Sequence, residues 1–258
     1  MCLIGCAWQQ HRTWPLVLWA NRDEFRARPA APLGRWSDDP ELVGGRDLQE
    51  GGAWMLLSTK RRLAAVTNVR RAPLARGARS RGHLVRAFVD ASASAPEWLA
   101  ARDDEAGDYA PFNLLVWDGG QLMLGSRLDG FAVQSLEPGV YGISNGPALA
   151  PWAKSAKLVR ALRHWLVQTP EATALPDLEA AWTALFDPAL LADEDLPDTG
   201  IGLERERWLS ASFVDGETYG TRASTVVLAG AQGWHMLERR FDAGRQLTGA
   251  THLQGDWR

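Results

Sequence analysis

Cys2 directly follows Met1. Once Met1 is removed, one residue carries both a thiol and a free α-amine. Their reference pKa values, about 8.5 and about 7.7–8.0, leave each partly deprotonated at neutral pH. The amine can therefore take the thiol proton, directly or through a water, as an N-terminal amine does for a hydroxyl nucleophile. The chemistry on offer is nucleophilic attack at a carbonyl carbon, and it requires Cys2 to be held still at the start of a strand. The competing reading makes Cys2 an incidental small apolar residue behind a retained Met1.

Other polar residues fall where apolar runs end. Asn21-Arg22-Asp23-Glu24 closes the run from Pro15, and it lies near Cys2 if that run pairs with Met1 to Trp8. An arginine there depresses a thiol pKa, and a carboxylate orients an α-ammonium. Asn and Asp are also ordinary at a solvated strand-to-loop junction. Asn68 sits in Thr67-Asn68-Val69, and Asn145 follows Ile143-Ser144 and precedes Gly146-Pro147. A carboxamide aimed at the site stabilises a tetrahedral oxyanion by a few kcal/mol; Asn145 equally suits a tight turn. Arg222 lies at the head of a late strand, Tyr219-Gly220-Thr221-Arg222-Ala223-Ser224-Thr225. It can reach a carboxylate of the site or a substrate group, or stand as an exposed edge charge.

The remaining candidates carry less. His11, His83, His164, His235 and His252 lack metal-ligand spacing, and no cofactor or metal is called for. Gly44-Gly45-Arg46-Asp47 and Glu50-Gly51-Gly52 lack a phosphate-loop lysine and precede no helix. Ser80, Ser144 and Ser224 have no nucleophile-elbow context. The 13 tryptophans read as core and half-buried surface rather than as one aromatic pocket.

Composition narrows the classes. With 46% hydrophobic and 23% charged residues and a formal net charge of −3, the chain is an ordinary globular protein with no nucleic-acid face. It has no apolar run long enough to span a membrane. Leu3-Ile4-Gly5-Cys6 resembles a lipoprotein cleavage site, but no basic region or apolar segment precedes it. Cys2 and Cys6 on one strand stand roughly 13 Å apart, beyond disulfide reach. A reducing compartment fits, and the expected location is cytoplasmic.

These residues need strands to position them. Met1 to Trp8 and Pro15 to Asn21 read as a hairpin, Phe25 to Trp36 as a loop, and Ala53 to Ser58 with Leu63 to Val69 as a second hairpin. Arg81 to Ala91 and Pro96 to Arg102 show helical spacing. Phe112 to Trp117 and Gln121 to Ser126 flank the turn signal Asp118-Gly119-Gly120, and Val140 to Ser144 is a short strand. Trp152 to Gln168 and Leu178 to Phe186 read as helices, with Asp187 to Glu206 an acidic loop. Leu209 to Val214, Tyr219 to Ala229 and Trp234 to Phe241 read as strands. Hairpin connections imply antiparallel sheets, and helices in two batches imply covering layers. The expectation is a single domain over residues 1–258, an α+β four-layer αββα sandwich.

MCLIGCAW, ANRDEF, GGRD with GGAW, LAAVTNVR, YGISNGP and YGTRASTVVL resemble the NRDE-domain family, also called the transport-and-Golgi-organisation protein 2 family. The blocks run from Met1 to about Leu228. That family is similar to the cysteine N-terminal nucleophile (Ntn) hydrolases, among them penicillin V acylases and bile-salt hydrolases. The similarity implies the αββα sandwich, loss of Met1 and cleavage of an amide C–N bond in a non-peptide substrate. It implies Cys2 as nucleophile, Asn68 and Asn145 as oxyanion donors, Arg222 as the late-strand arginine, and Arg22 and Asp23 as the arginine and aspartate of the second strand. The hydrolases space those last two further apart, so Asn21 and Glu24 remain alternatives for one role.

Two functions follow. One is an N-terminal-cysteine amidohydrolase acting on a small molecule such as an acyl amide. The other is a non-catalytic carrier on the same fold, binding haem or an acyl-lipid or acyl-CoA ligand, since eukaryotic members are linked to haem handling and lipid metabolism. A Cys2 thiolate suits an axial haem ligand, although the chain has no Cys-Pro pair.

Overall fold

The computed structural model describes residues 2–73, 77–172 and 174–258. Of Cys2 it describes the backbone; Met1 and the Cys2 side chain lie outside the described residues. The strands are β1 (Cys2–Trp8), β2 (Leu16–Phe25), β3 (Ala30–Arg35), β4 (Leu42–Asp47), β5 (Met55–Ser58), β6 (Arg62–Asn68), β7 (Phe112–Trp117), β8 (Leu122–Arg127), β9 (Phe131–Ser135), β10 (Gly139–Ile143), β11 (Tyr219–Ala229), β12 (Gly233–Phe241) and β13 (Leu247–Asp256). The helices are α1 (Gly82–Asp90), α2 (Ala95–Ala100), α3 (Ala153–Gln168), α4 (Glu179–Leu185) and α5 (Leu203–Trp208). One sheet runs β10-β1-β2-β11-β12-β13, the other β3-β4-β5-β6-β7-β8-β9, and neighbouring strands within each are antiparallel.

Alternation along the central strands builds the layers. Ile4, Cys6, Leu16, Leu18 and Ala20 join Leu63, Ala65, Leu115 and Met236 in a core between the sheets. The other parity of the first sheet, with Leu3, Val17, Trp19 and Val226, packs on Leu158, Leu162 and Trp165 of α3 and Trp182 of α4. On the far side Leu84, Val85 and Phe88 of α1 cover Leu56, Ala64 and Val66. The result is an α+β sandwich of two antiparallel sheets between helices. Among the described residues no helix is long and apolar enough to cross a membrane.

Turn chemistry holds the edges. Asp118 Oδ1 accepts from the Gly120 and Gln121 amides at 3.0 and 2.8 Å, while Gly119 takes a φ of 92°. Asp118 Oδ2 also accepts from Ala95 N at 2.7 Å, fixing the start of α2. Local pattern misled in a few places. Phe25 to Trp36, expected as loop, contains β3, an edge strand whose register shifts between Ala31 and Gly34 around Pro32; an edge tolerates proline's missing donor. Leu209 to Val214, expected as strand, lies outside both sheets, its Phe213 amide donating to Asp187 O at 2.8 Å. The stretch expected as an acidic loop, Asp187 to Glu206, ends inside α5, and β13 carries little sequence signal because its residues are half-buried or exposed without an apolar face.

Candidate functional site

The polar cluster lies inside β2 rather than after it. β2 runs to Phe25 because β11 continues alongside, pairing Phe25 with Tyr219, Glu24 with Gly220 and Asp23 with Thr221. The register then slips by one residue, so Ala223 pairs with Arg22 and Arg222 is the extra residue of a bulge. A bulge re-aims a side chain while leaving the flanking ladder intact. Cys2 pairs with Arg22 on the other side. Positions 2, 22 and 222 thus meet at one end of three adjacent strands.

Strand parity divides the cluster. Leu16, Leu18 and Ala20 face between the sheets and Val17 and Trp19 face the helices, which sends Arg22 and Glu24 inward and Asn21 to the helical side. Asn21 is fully buried, and its Nδ2 donates to Leu185 O at 2.7 Å and Ser212 O at 2.8 Å. Its Oδ1 accepts from Ser224 Oγ at 2.6 Å. These bonds tie β2 to α4 and to the segment before β11. Asp23 is buried with Oδ1 accepting from Thr221 Oγ1 at 2.6 Å, and Thr221 Oγ1 in turn accepts from Val214 N at 2.9 Å.

A cavity of about 840 Å³ opens at this end of the sandwich, lined by Arg22, Asp23 and Glu24 of β2, Asn68 of β6, and Arg222 at the bulge. Ala53, Trp54 and Val66 supply apolar wall, and residues 77–82 border it. The size is typical of a small-molecule site, but the walls are charged: among the described residues seven arginines and five carboxylates line them. Trp54 is the one tryptophan among the described lining residues.

Most of the charges have partners. Arg28 Nη2 lies 2.5 Å from Asp47 Oδ2, and Arg46 Nη1 lies 2.7 Å from Asp38 Oδ1. Arg79 pairs with Glu105 at 2.7 Å and Arg240 with Glu238 at 3.1 Å. Buried Glu238 also accepts from Leu33 N at 2.9 Å, joining the two sheets. Glu24 Oε2 stands 3.9 Å from Arg22 and 4.0 Å from Arg28. Burial works against both charges of the Arg28–Asp47 pair, yet their hydrogen bond and mutual attraction raise the Arg28 pKa and lower that of Asp47. Arg222 differs: it donates to the main-chain oxygens of Phe25, at 3.2 Å, and Arg28. Burial holds its guanidinium below the ordinary value, and so do the like charges of Arg22 and Arg26, against the pull of Glu24.

The two asparagines occupy different places. Asn68 ends β6 on the cavity wall, whereas Asn145 lies behind it. Asn145 is buried, and its Nδ2 donates to Asn68 O at 2.8 Å. Its own carbonyl accepts from Arg70 N at 2.6 Å, and Arg70 Nη2 lies 2.5 Å from buried Glu206. The cavity therefore gathers Arg22, Asp23, Glu24, Asn68 and Arg222 and leaves Asn21 and Asn145 off its wall. Sequence reading missed Arg28, Asp47, Glu238 and Arg240. Gly44-Gly45-Arg46-Asp47 reads in the sequence as a Gly-rich stretch without a phosphate-loop lysine and as a block of the family resemblance, neither of which gives Asp47 a site role. Glu238 and Arg240 share one parity of β12, the available signal. Cys6 is fully buried and burial pushes its thiol pKa up, which makes it inert. No histidine, methionine or tyrosine is among the described lining residues. A haem ring would have to lie against paired charges, so these walls do not fit haem.

Two antiparallel sheets packed face to face between helices form the fold of the Ntn hydrolases. A mutant conjugated bile acid hydrolase from Clostridium perfringens has a TM-score of 0.52 to this chain at 8% identity, covering 100% of this chain and 97% of that one. A second variant of that hydrolase gives 0.51, again at 8% identity and the same coverage. The chain belongs to the Transport and Golgi organisation 2 family, which it matches over residues 1–243. It is 34% identical over 250 residues to the Transport and Golgi organization protein 2 homolog of Bos taurus, spanning 90% of this chain and 88% of that protein. The Homo sapiens homolog is 32% identical over 249 residues, with the same two coverages.

Proposed function

We propose that the chain is an N-terminal-cysteine hydrolase that, after loss of Met1, cleaves the C–N bond of a non-peptide amide. The observation that carries this reading is the register: Cys2 opens β1 directly opposite Arg22, and Arg22 lines the charged cavity. In this reading the Cys2 α-amine takes the thiol proton and the thiolate attacks the amide carbonyl. Arg22 favours the thiolate and Asp23 orients the α-ammonium. Asn68 donates to the developing oxyanion, and Asn145 holds the Asn68 main chain through its 2.8 Å bond. The α-ammonium protonates the leaving nitrogen as the C–N bond breaks, which leaves a thioester. Water then adds to the thioester carbonyl, the carboxylic acid leaves, and the thiol is restored.

The test joins intact mass with turnover. Mass should show Met1 absent, and a screen of acyl amides should yield a substrate whose hydrolysis disappears in Cys2→Ala with the thermal melt unchanged. Turnover persisting in Cys2→Ala, or a retained Met1 on active protein, would sink the reading.

A further inference from the structure

Arg22 and Arg222 stand apart from the other cavity cations. The Arg22 side chain is only 11% exposed, and its one ion-pair contact among the described residues is Glu24 at 3.9 Å. Arg222 gives its described hydrogen bonds to two carbonyl oxygens and to no carboxylate. The bulge brings these like charges to the end of adjacent strands in a partly desolvated cavity, where repulsion is weakly screened. Arg26, whose charge also bears on Arg222, has Asp215, Asp242 and Asp23 in its own surroundings. Among the described residues Arg28 pairs with Asp47, Arg46 with Asp38, Arg79 with Glu105, Arg240 with Glu238 and Arg22 with Glu24, whereas Arg222 has no carboxylate within ion-pair distance. A guanidinium without a carboxylate partner and with unspent N–H donors matches an anion, and it binds a carboxylate in a two-point fork.

We propose that Arg222, with Arg22 beside it, holds a carboxylate carried by the substrate, so that the amide cleaved is an acidic one. The proposal rests on the hydrolase reading in taking Cys2 as the reacting group. It adds the substrate's charge and the residue that reads it.

Alkylation tests this without needing turnover. Iodoacetate and iodoacetamide transfer the same carbon to a thiolate, forming an S–C bond and releasing iodide, and they differ in bearing a carboxylate or a neutral amide. An ordinary thiolate repels iodoacetate and reacts faster with the amide. Rates are read at Cys2 by peptide mass mapping, in the folded chain and in urea. In the folded chain the iodoacetate-to-iodoacetamide ratio should exceed the urea ratio by about tenfold or more, the scale of one charge-assisted contact. Acetate should slow the iodoacetate reaction more than the iodoacetamide reaction. Arg222→Gln should return the ratio to the urea value and Arg222→Lys should restore part of it. Arg79→Gln, on the same cavity but paired with Glu105, should leave it unchanged. A folded-chain ratio equal to that in urea, or an elevated ratio that survives in a folded Arg222→Gln, would overturn the proposal. Neutral amides hydrolysed by a chain lacking the preference would overturn it and leave the hydrolase reading standing. A preference without any turnover would support the carboxylate site and count against the hydrolase.

Discussion

Glu206→Ala should destabilise the protein by about 3–5 kcal/mol, the scale for breaking a buried charge pair by removing one partner. The structure places the effect in that range. Glu206 is 3% exposed, and its Oε2 lies 2.5 Å from Arg70 Nη2. Its Oε1 accepts from Thr199 N at 2.9 Å and Thr199 Oγ1 at 2.5 Å. Truncation leaves the Arg70 guanidinium, whose pKa burial already lowers against the pull of Glu206, without that carboxylate. It also strips two donors of Thr199, whose carbonyl accepts from Ala72 N at 2.9 Å. At about 2–4 °C per kcal/mol for a chain near this size, the melt should fall by roughly 6–20 °C. Urea titration followed by circular dichroism measures the loss directly. A double variant, Arg70→Met with Glu206→Leu, should lose clearly less than Glu206→Ala, because neither position of the pair then holds a charge stripped of its partner. A loss under about 1 kcal/mol in Glu206→Ala, or a double variant no better than the single, would refute the reasoning. Arg70 N bonds Asn145 O and Asn145 bonds Asn68 O, so any amidase activity should fall when the Arg70–Glu206 pair is broken, even where the protein remains folded.

Asn21→Leu should cost about 2–4 kcal/mol, since the carbonyls of Leu185 and Ser212 and the Ser224 hydroxyl lose a buried partner together; urea titration checks it, and a near-neutral result would mean that the segment before β11 repacks. Asp47 gives a pH dependence of known sign. Its carboxylate is held below its usual pKa by Arg28 and by backbone amides, against the effect of burial. It contributes stability in full above the unfolded value near 3.9, and that contribution is lost as pH falls through the lower folded value. Asp47→Asn should therefore lower stability at pH 7 and flatten its fall between about pH 5 and 2, measured as melting temperature against pH.

The antiparallel sandwich was legible because its central strands alternate cleanly. Phe112–Trp117 and Tyr219–Ala229 fall where apolar pattern and turn residues put them. β3 and β13 were not, because an edge strand with Pro32 and a strand with no apolar face carry little periodic signal. The site was legible by residue and not by geometry. Asn21, Arg22, Asp23 and Glu24 form one polar word in the sequence, and its meaning depends on where β2 ends. Only pairing with β11 extends that strand through Phe25. Partner strands far away in the chain set this extension, so no local pattern can report it.

That extension also explains how one short motif serves both stability and chemistry. With a period of two, consecutive residues of a strand must face opposite layers, so Asn21 stays with the helices while Arg22 and Glu24 turn inward. Shifting β2 against β11 by one residue would bury Arg22 under α4 and expose the carbonyls that Asn21 satisfies. The three bonds of Asn21 are then a register lock, and the slip between Thr221 and Ala223 is what frees Arg222 from the ladder. Structure-keeping and charge-presenting residues alternate here because the pleat gives each strand two sides. A site of this kind needs them in the same four positions.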